Sequence, residues 1–268
     1  MLLVRIATLT LLAAGLISYV GLATVPAAQA QEAQDSAPAA FAPRIPSVGE
    51  RLAYDVKFSS VRVGSGYMET LGYEPIRGIN ALHVRFTVRG GTFFYKVNDL
   101  LESWIDTTRF ISLRHKQELS EGSRDRQRTF EFFPERRTYS QDGDAEEPGV
   151  AEPLDEGSFL YFVRRVPLEP GRTYEFTRYF KPDRNPVRIV VLRRERIKVP
   201  AGTFNTIVIQ PIIKAKGLFS EGGKAQVWLS DDSARVMVQM KSSLPVGSLN
   251  LYLREYRPAV GAALIRGN

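Results

Sequence analysis

The chain has 268 residues, no cysteine, two histidines, a formal net charge of +7 and 44 % hydrophobic residues. A cysteine nucleophile, a disulfide framework and a thiolate metal site are excluded, and the hydrophobic content is that of a chain that folds on a buried core. The basic runs Arg124-Asp-Arg126-Gln-Arg128, Glu135-Arg-Arg137 and Arg193-Arg-Glu-Arg196 are interleaved with acids, so they read as solvated strand faces and not as a nucleic-acid footprint, while attraction to anionic lipid surfaces stays open.

Residues 1–30 read as a secretory signal peptide. Arg5 supplies the positive n-region, Ile6 to Val25 is an uncharged apolar stretch, and Ala28 and Ala30 flank a cut before Gln31. The apolar stretch is long enough to span a bilayer, so a retained anchor is the alternative to cleavage. A bacterial-type lipid anchor needs a cysteine at the cut, and the chain has none. After cleavage the charge falls to +6 with the loss of Arg5, and the exported chain is expected to be soluble, without an integral membrane segment. Residues 31–47, rich in Ala, Pro and Gln, read as a flexible linker. A domain follows over 48–257, with a short tail over 258–268.

Within the domain the apolar period is two. Leu52, Tyr54, Val56 and Phe58 alternate with polar neighbours, as do Leu82, Val84, Phe86 and Val88, which predicts half-buried antiparallel strands. Further strands are expected at about 61–71, 93–105, 110–119, 127–133, 172–180, 186–198, 204–214, 224–229, 234–242 and 247–256. Gly64-Ser-Gly66 reads as a break between strands. Residues 141–153 are acidic and turn-rich, an expected exposed loop. Leu154 to Arg165 has acids first, bases last and an apolar middle, which predicts the one helix. So many strands cannot stay flat. The expected fold is all-β: a curved antiparallel sheet, half-barrel or barrel-like, in a single domain with one short helix packed across it.

Gly49-Glu-Arg-Leu-Ala-Tyr54, Leu168-Glu-Pro-Gly171-Arg-Thr-Tyr174, Val199-Pro-Ala-Gly-Thr-Phe204 and Val227-Trp-Leu-Ser-Asp-Asp232-Ser-Ala-Arg235-Val occur in that order across the domain. In these phrases the chain resembles the bacterial exported family known as DUF3108, a domain of unknown function. The resemblance implies an envelope protein with a curved antiparallel fold and brings no established activity, cofactor or catalytic residue. Physically the phrases are turn chemistry. Pro170-Gly171 suits a type II turn, Pro200 and Gly202 a tight turn between strands, and Asp231 and Asp232 a hairpin closure, with one of them pairing with Arg235 across it.

Chemistry is thin. His83 and His115 lie in strands and read as surface or structural residues, although a Ser-His-Asp site assembled in space stays open. Asp142, Asp144, Glu146 and Glu147 lack the glycine and the distal glutamate of an EF-hand loop. No metal and no cofactor are expected. Glu69, Asp99, Glu102 and Asp106 lie on or beside strands, and nothing selects a catalytic pair among them. The stronger lead is aromatic: Tyr54, Tyr67, Phe94, Trp104, Phe159, Tyr161 and Trp228 recur on elements expected to curl about one interior. They would line a cavity of about 300 Å³ or more under the helix. The leading expectation is a non-enzymatic carrier holding a lipid-like or glycan-like ligand. An envelope scaffold with a protein partner is the runner-up and a hydrolase the third reading.

Overall fold

In the computed structural model, residues 45–91, 96–121, 124–214, 225–243 and 248–259 are described. The signal segment, most of the linker, Phe94 and most of the C-terminal tail lie outside them. Fourteen strands run β1 (Arg51–Phe58), β2 (Val61–Ile76), β3 (Ile79–Gly91), β4 (Lys96–Asp106), β5 (Ile111–Glu121), β6 (Arg124–Phe133), β7 (Thr138–Gln141) and β8 (Glu147–Pro148). The chain then forms helix α1 (Glu156–Phe162) and continues through β9 (Thr173–Phe176), β10 (Val187–Val199), β11 (Gly202–Ile212), β12 (Gln226–Ser230), β13 (Met237–Ser243) and β14 (Ser248–Arg257).

All fourteen belong to one antiparallel sheet, ordered β8-β7-β6-β5-β4-β3-β2-β1-β14-β13-β12-β11-β10-β9. The chain starts at the middle, walks outward to β8, crosses with α1 to the far edge at β9, and returns to pair β14 with β1. The sheet is barrel-like but not closed. A single parallel bridge, Leu154 with Tyr179, links the segments that follow β8 and β9.

The alternation read from sequence sets the inner face. Leu52, Tyr54 and Val56 of β1, Leu82 and Val84 of β3, and Leu251 and Leu253 of β14 join one buried cluster with the helix residues Phe159 to Val163. Six of the seven helix residues are buried. A helix this short is unstable alone, so packing and its cap must hold it. Asp155 caps it, accepting from the amides of Gly157 and Ser158, while the Ser158 hydroxyl faces the Asp155 amide at 3.0 Å. The helix is shorter than the expected 154–165, because the chain tightens into a 3-10 turn over Val163–Arg165.

Two other local expectations are corrected, while the Gly171 and Gly202 turns form as expected. Gly64-Ser-Gly66 does not break a strand: it lies inside β2, where Gly64 faces Gly90 so closely that a Cβ would meet the Arg89 carbonyl oxygen at 2.2 Å. The acidic segment 141–153 is not all loop, since Glu147–Pro148 pairs with β7 as the terminal strand. Gly171 takes φ +84° after Pro170, with Arg172 N–H donating to Glu169 O, as a type II turn requires. Gly202 follows the Pro200-Ala201 link between β10 and β11 with φ +136°. In the β12–β13 turn, Asp231 pairs with Arg194, and Asp232 Oδ1 accepts from Ser230 Oγ and from the amides of Ala234 and Arg235. The Arg235 guanidinium reaches the Val166 carbonyl.

Candidate functional site

Ser103 on β4, His115 on β5 and Asp155 at the start of α1, the residue types of a hydrolase triad, meet on the inner face, all with no side-chain exposure to solvent. Strand pairing places Ser103 opposite His115, and the helix cap brings Asp155 over both. The hydrogen bonds run the wrong way for nucleophile activation. Ser103 Oγ donates to Asp155 Oδ1 at 2.6 Å, while His115 Nδ1 faces the Glu102 carbonyl at 2.9 Å and so carries a proton. His115 Nε2 faces Glu156 Oε2 at 3.2 Å, and Tyr179 donates to the other Glu156 oxygen. Burial alone would push the imidazole pKa down, but the charges of Asp155 and Glu156 hold it up to about 9. The Glu156 carboxyl, against the same imidazolium, is pulled down to about 2 despite burial. An imidazolium has no lone pair to take a proton from Ser103, and no substrate reaches it. Gly157 completes the fit: a Cβ there would meet Ser103 Oγ at 2.4 Å. The arrangement can do one thing, which is to fasten the helix start to β4 and β5.

His83 lies on the opposite, outer face. Its ring stacks on Trp104 at 4.3 Å between centroids, and its nitrogens face Glu74 Oε1 at 2.9 Å and Glu102 Oε1 at 3.1 Å. Trp104 Nε1 donates to Glu74, and Arg85 donates twice to Glu102. The carboxylates named from sequence stay apart: Glu69 binds Arg51, and Asp106 caps the Thr108 amide. In the acidic loop, Glu146 pairs with Arg136 and Glu147 accepts from Tyr139.

The aromatic set divides between the two faces. Tyr54, Phe159 and Tyr161 join the inner core, with the Tyr54 hydroxyl donating to Met237 O at 2.9 Å. Trp104 belongs to a separate outer cluster with Ile76, Ala81, Ile111 and Leu113. Trp228 pairs in register with Val208 and Gln239, out of phase with the core residues Val227 and Leu229, and donates to Glu195. Tyr67 is half-buried under the Arg51 guanidinium. These side chains do not line one interior. Beside the helix, between Phe159, Phe162, Phe176 and Val187, the void is about 10 Å³. The expected cavity is absent there because the helix aromatics fill it, Phe162 packing edge-on against Phe176 and tilted against Phe110.

The larger space is outside. Two cross-strand rows run over four strands on the outer face, Thr87–Leu100–Glu118–Gln127 and Arg89–Asn98–Ser120–Asp125. Both rows line a groove of about 270 Å³. Sequence reasoning missed this groove and the buried cluster. The available signals were polar residues at inner positions of β5 (Ser112, His115, Gln117) and a mostly polar phase of β3 to β6, interrupted at Leu100.

The fold is similar to that of a β-barrel-like protein of domain of unknown function DUF1849 from Brucella abortus. It is 7 % identical to this chain, with 80 % of this chain and 99 % of that one covered and a TM-score of 0.50. Residues 53–254 match the family described as protein of unknown function DUF3108, and the chain belongs to that family. Two more distant structures are a hypothetical protein, CT021, from Chlamydia trachomatis (8 % identity, 83 % and 92 % covered, TM-score 0.36) and an inferred exported protein with a YmcC-like fold from Bacteroides fragilis (11 %, 79 % and 97 %, 0.30). No curated protein matches the sequence. Among the described residues, no helix is long and apolar enough to cross a membrane.

Proposed function

We propose that this DUF3108 protein is an exported, non-enzymatic binding protein of the cell envelope that engages its ligand on the outer surface of the sheet and not in the interior. The observation that carries the reading is the inner face beside the helix: the polar cluster around His115 is consumed in fastening the helix, and the space next to it is filled. The signal-like N-terminus supports export. Native mass spectrometry of protein purified from its own envelope tests it. The expected result is a protein free of acyl lipid, with its N-terminus at Gln31. A lipid retained through delipidation would contradict it.

One observation favours a second reading, a scaffold with a protein partner. β9 pairs only with Val187–Val190 of β10, so among the described residues the stretch Arg193–Lys198 has a strand on one side alone. Such an edge accepts an added strand. A single co-purifying protein whose binding protects the Arg193–Lys198 amides from exchange would favour this reading.

A further inference from the structure

We propose that the groove on the outer face of β3–β6 is a binding site for a neutral saccharide. The inference rests on the surface-binding reading above and names its ligand class. Strand register builds the site. Because side chains of one phase stand in line across neighbouring strands about 4.8 Å apart, the rows Thr87–Leu100–Glu118–Gln127 and Arg89–Asn98–Ser120–Asp125 form a polar grid four strands wide. The volume of this half-open groove, about 270 Å³, approaches the lower end, about 300 Å³, of small-molecule sites.

The composition selects the ligand. Leu100 is the one apolar side chain in the two rows, too little for an acyl chain. Within the two rows the cation Arg89 stands with the carboxylates Glu118 and Asp125, so the groove does not present the uncompensated positive charge that a phosphate or other anion needs. Amides, hydroxyls, carboxylates and a guanidinium together offer donors and acceptors in alternation, and a run of sugar hydroxyls, each both donor and acceptor, matches that mixture.

The grid is also unspent. One row further along the same face, Arg85 pairs with Glu102 and Lys116 pairs with Glu118, closing the surface on itself. Among the described residues, the side chains of Thr87, Arg89, Asn98, Asp125 and Gln127 have no such partner. Glu118, held by Lys116 at 2.5 Å, is an oriented acceptor at the boundary between the closed rows and the open ones.

The test is an amide NMR titration of the mature protein with cellotetraose, maltotetraose and chitotetraose in turn. At least one should give saturable shifts confined to the amides around Thr87, Asn98, Glu118 and Gln127, with a dissociation constant at or below about 1 mM. The double variant Asn98→Ala/Gln127→Ala should weaken binding at least about tenfold, a change of about 1.4 kcal/mol, while its remaining spectrum is unchanged. No saturable shift with any of the three sugars would overturn the proposal. So would equal shifts in the variant, or the same amides responding to inorganic phosphate alone. Failure here with a lipid-free native mass spectrum removes the saccharide and leaves the surface reading standing, whereas a retained lipid removes both.

Discussion

The two faces of the β3–β6 region carry similar side chains to opposite ends. On the inner face Ser103, His115, Gln117 and Asp155 are buried in one polar network that the partly exposed Glu156 joins from the helix. On the outer face Thr87, Asn98, Ser120 and Gln127 stand in open rows beside a groove. The difference teaches that a constellation of reactive residue types is not a site until access and hydrogen-bond direction are known. Buried polar groups must be satisfied by the fold itself, and once satisfied they are unavailable for chemistry.

If that contrast is right, perturbing the inner network should cost stability and perturbing the outer rows should not. The largest effect is expected for Asp155→Ala, which removes the helix cap, the Ser103 acceptor and the counter-charge of a buried imidazolium at once. Denaturant unfolding should show a loss of about 3–5 kcal/mol.

Next comes pH. His115 has its folded pKa raised to about 9 from 6.5, so its contribution is complete below about 6.5 and disappears as pH rises through 9. A shift of that size corresponds to about 3 kcal/mol. Glu156, depressed to about 2 from 4.5, contributes fully above 4.5 and loses that contribution as pH falls toward 2. Unfolding curves from pH 3 to 10 should therefore show a plateau near pH 5–6 with losses on both sides, and His115→Gln should flatten the alkaline loss. An unchanged alkaline limb in the variant would mean that the imidazole is neutral and the network differently protonated.

A smaller effect is expected at Gly157. Gly157→Ala should destabilise by about 1–3 kcal/mol through the clash with Ser103 Oγ, and Ser103→Ala in the same chain should recover much of it, a coupling that a double-mutant cycle measures. At the bottom of the scale, Asn98→Ala and Gln127→Ala should change stability by no more than about 0.5 kcal/mol, because neither side chain holds a partner among the described residues.

Most of the strands were legible because their apolar residues alternate without interruption, as in β1 and β3. The terminal strands β7 and β8 were not, since four and two residues inside an acidic, turn-rich stretch carry no period. The helix was legible from its charge order and apolar middle, and its true start from Asp155 with Ser158 three residues on. The grouping of aromatics into one interior failed for a definite reason. Tyr67, Trp104 and Trp228 alternate with the core residues Met68, Ile105 and Leu229, so their own strand parity turns them away from the interior, while the extra residues that shift register, Leu71, Leu113, Leu192 and Val238, lie in β2, β5, β10 and β13. Grouping by residue type overrode that parity, and Trp104 and Trp228 lie on the outer side. The network around His115 was hidden because its members come from β4, β5 and α1, and only tertiary packing brings them together.

The most direct measurement compares three proteins purified from their own envelope: the wild type, Ser103→Ala on the inner face and Asn98→Ala/Gln127→Ala on the outer. Native mass spectrometry then reads what each retains. The account predicts that the species carried by the wild type stays with Ser103→Ala and is lost from the outer-face variant. Loss from Ser103→Ala with retention by the outer-face variant would place the ligand in the interior and contradict it.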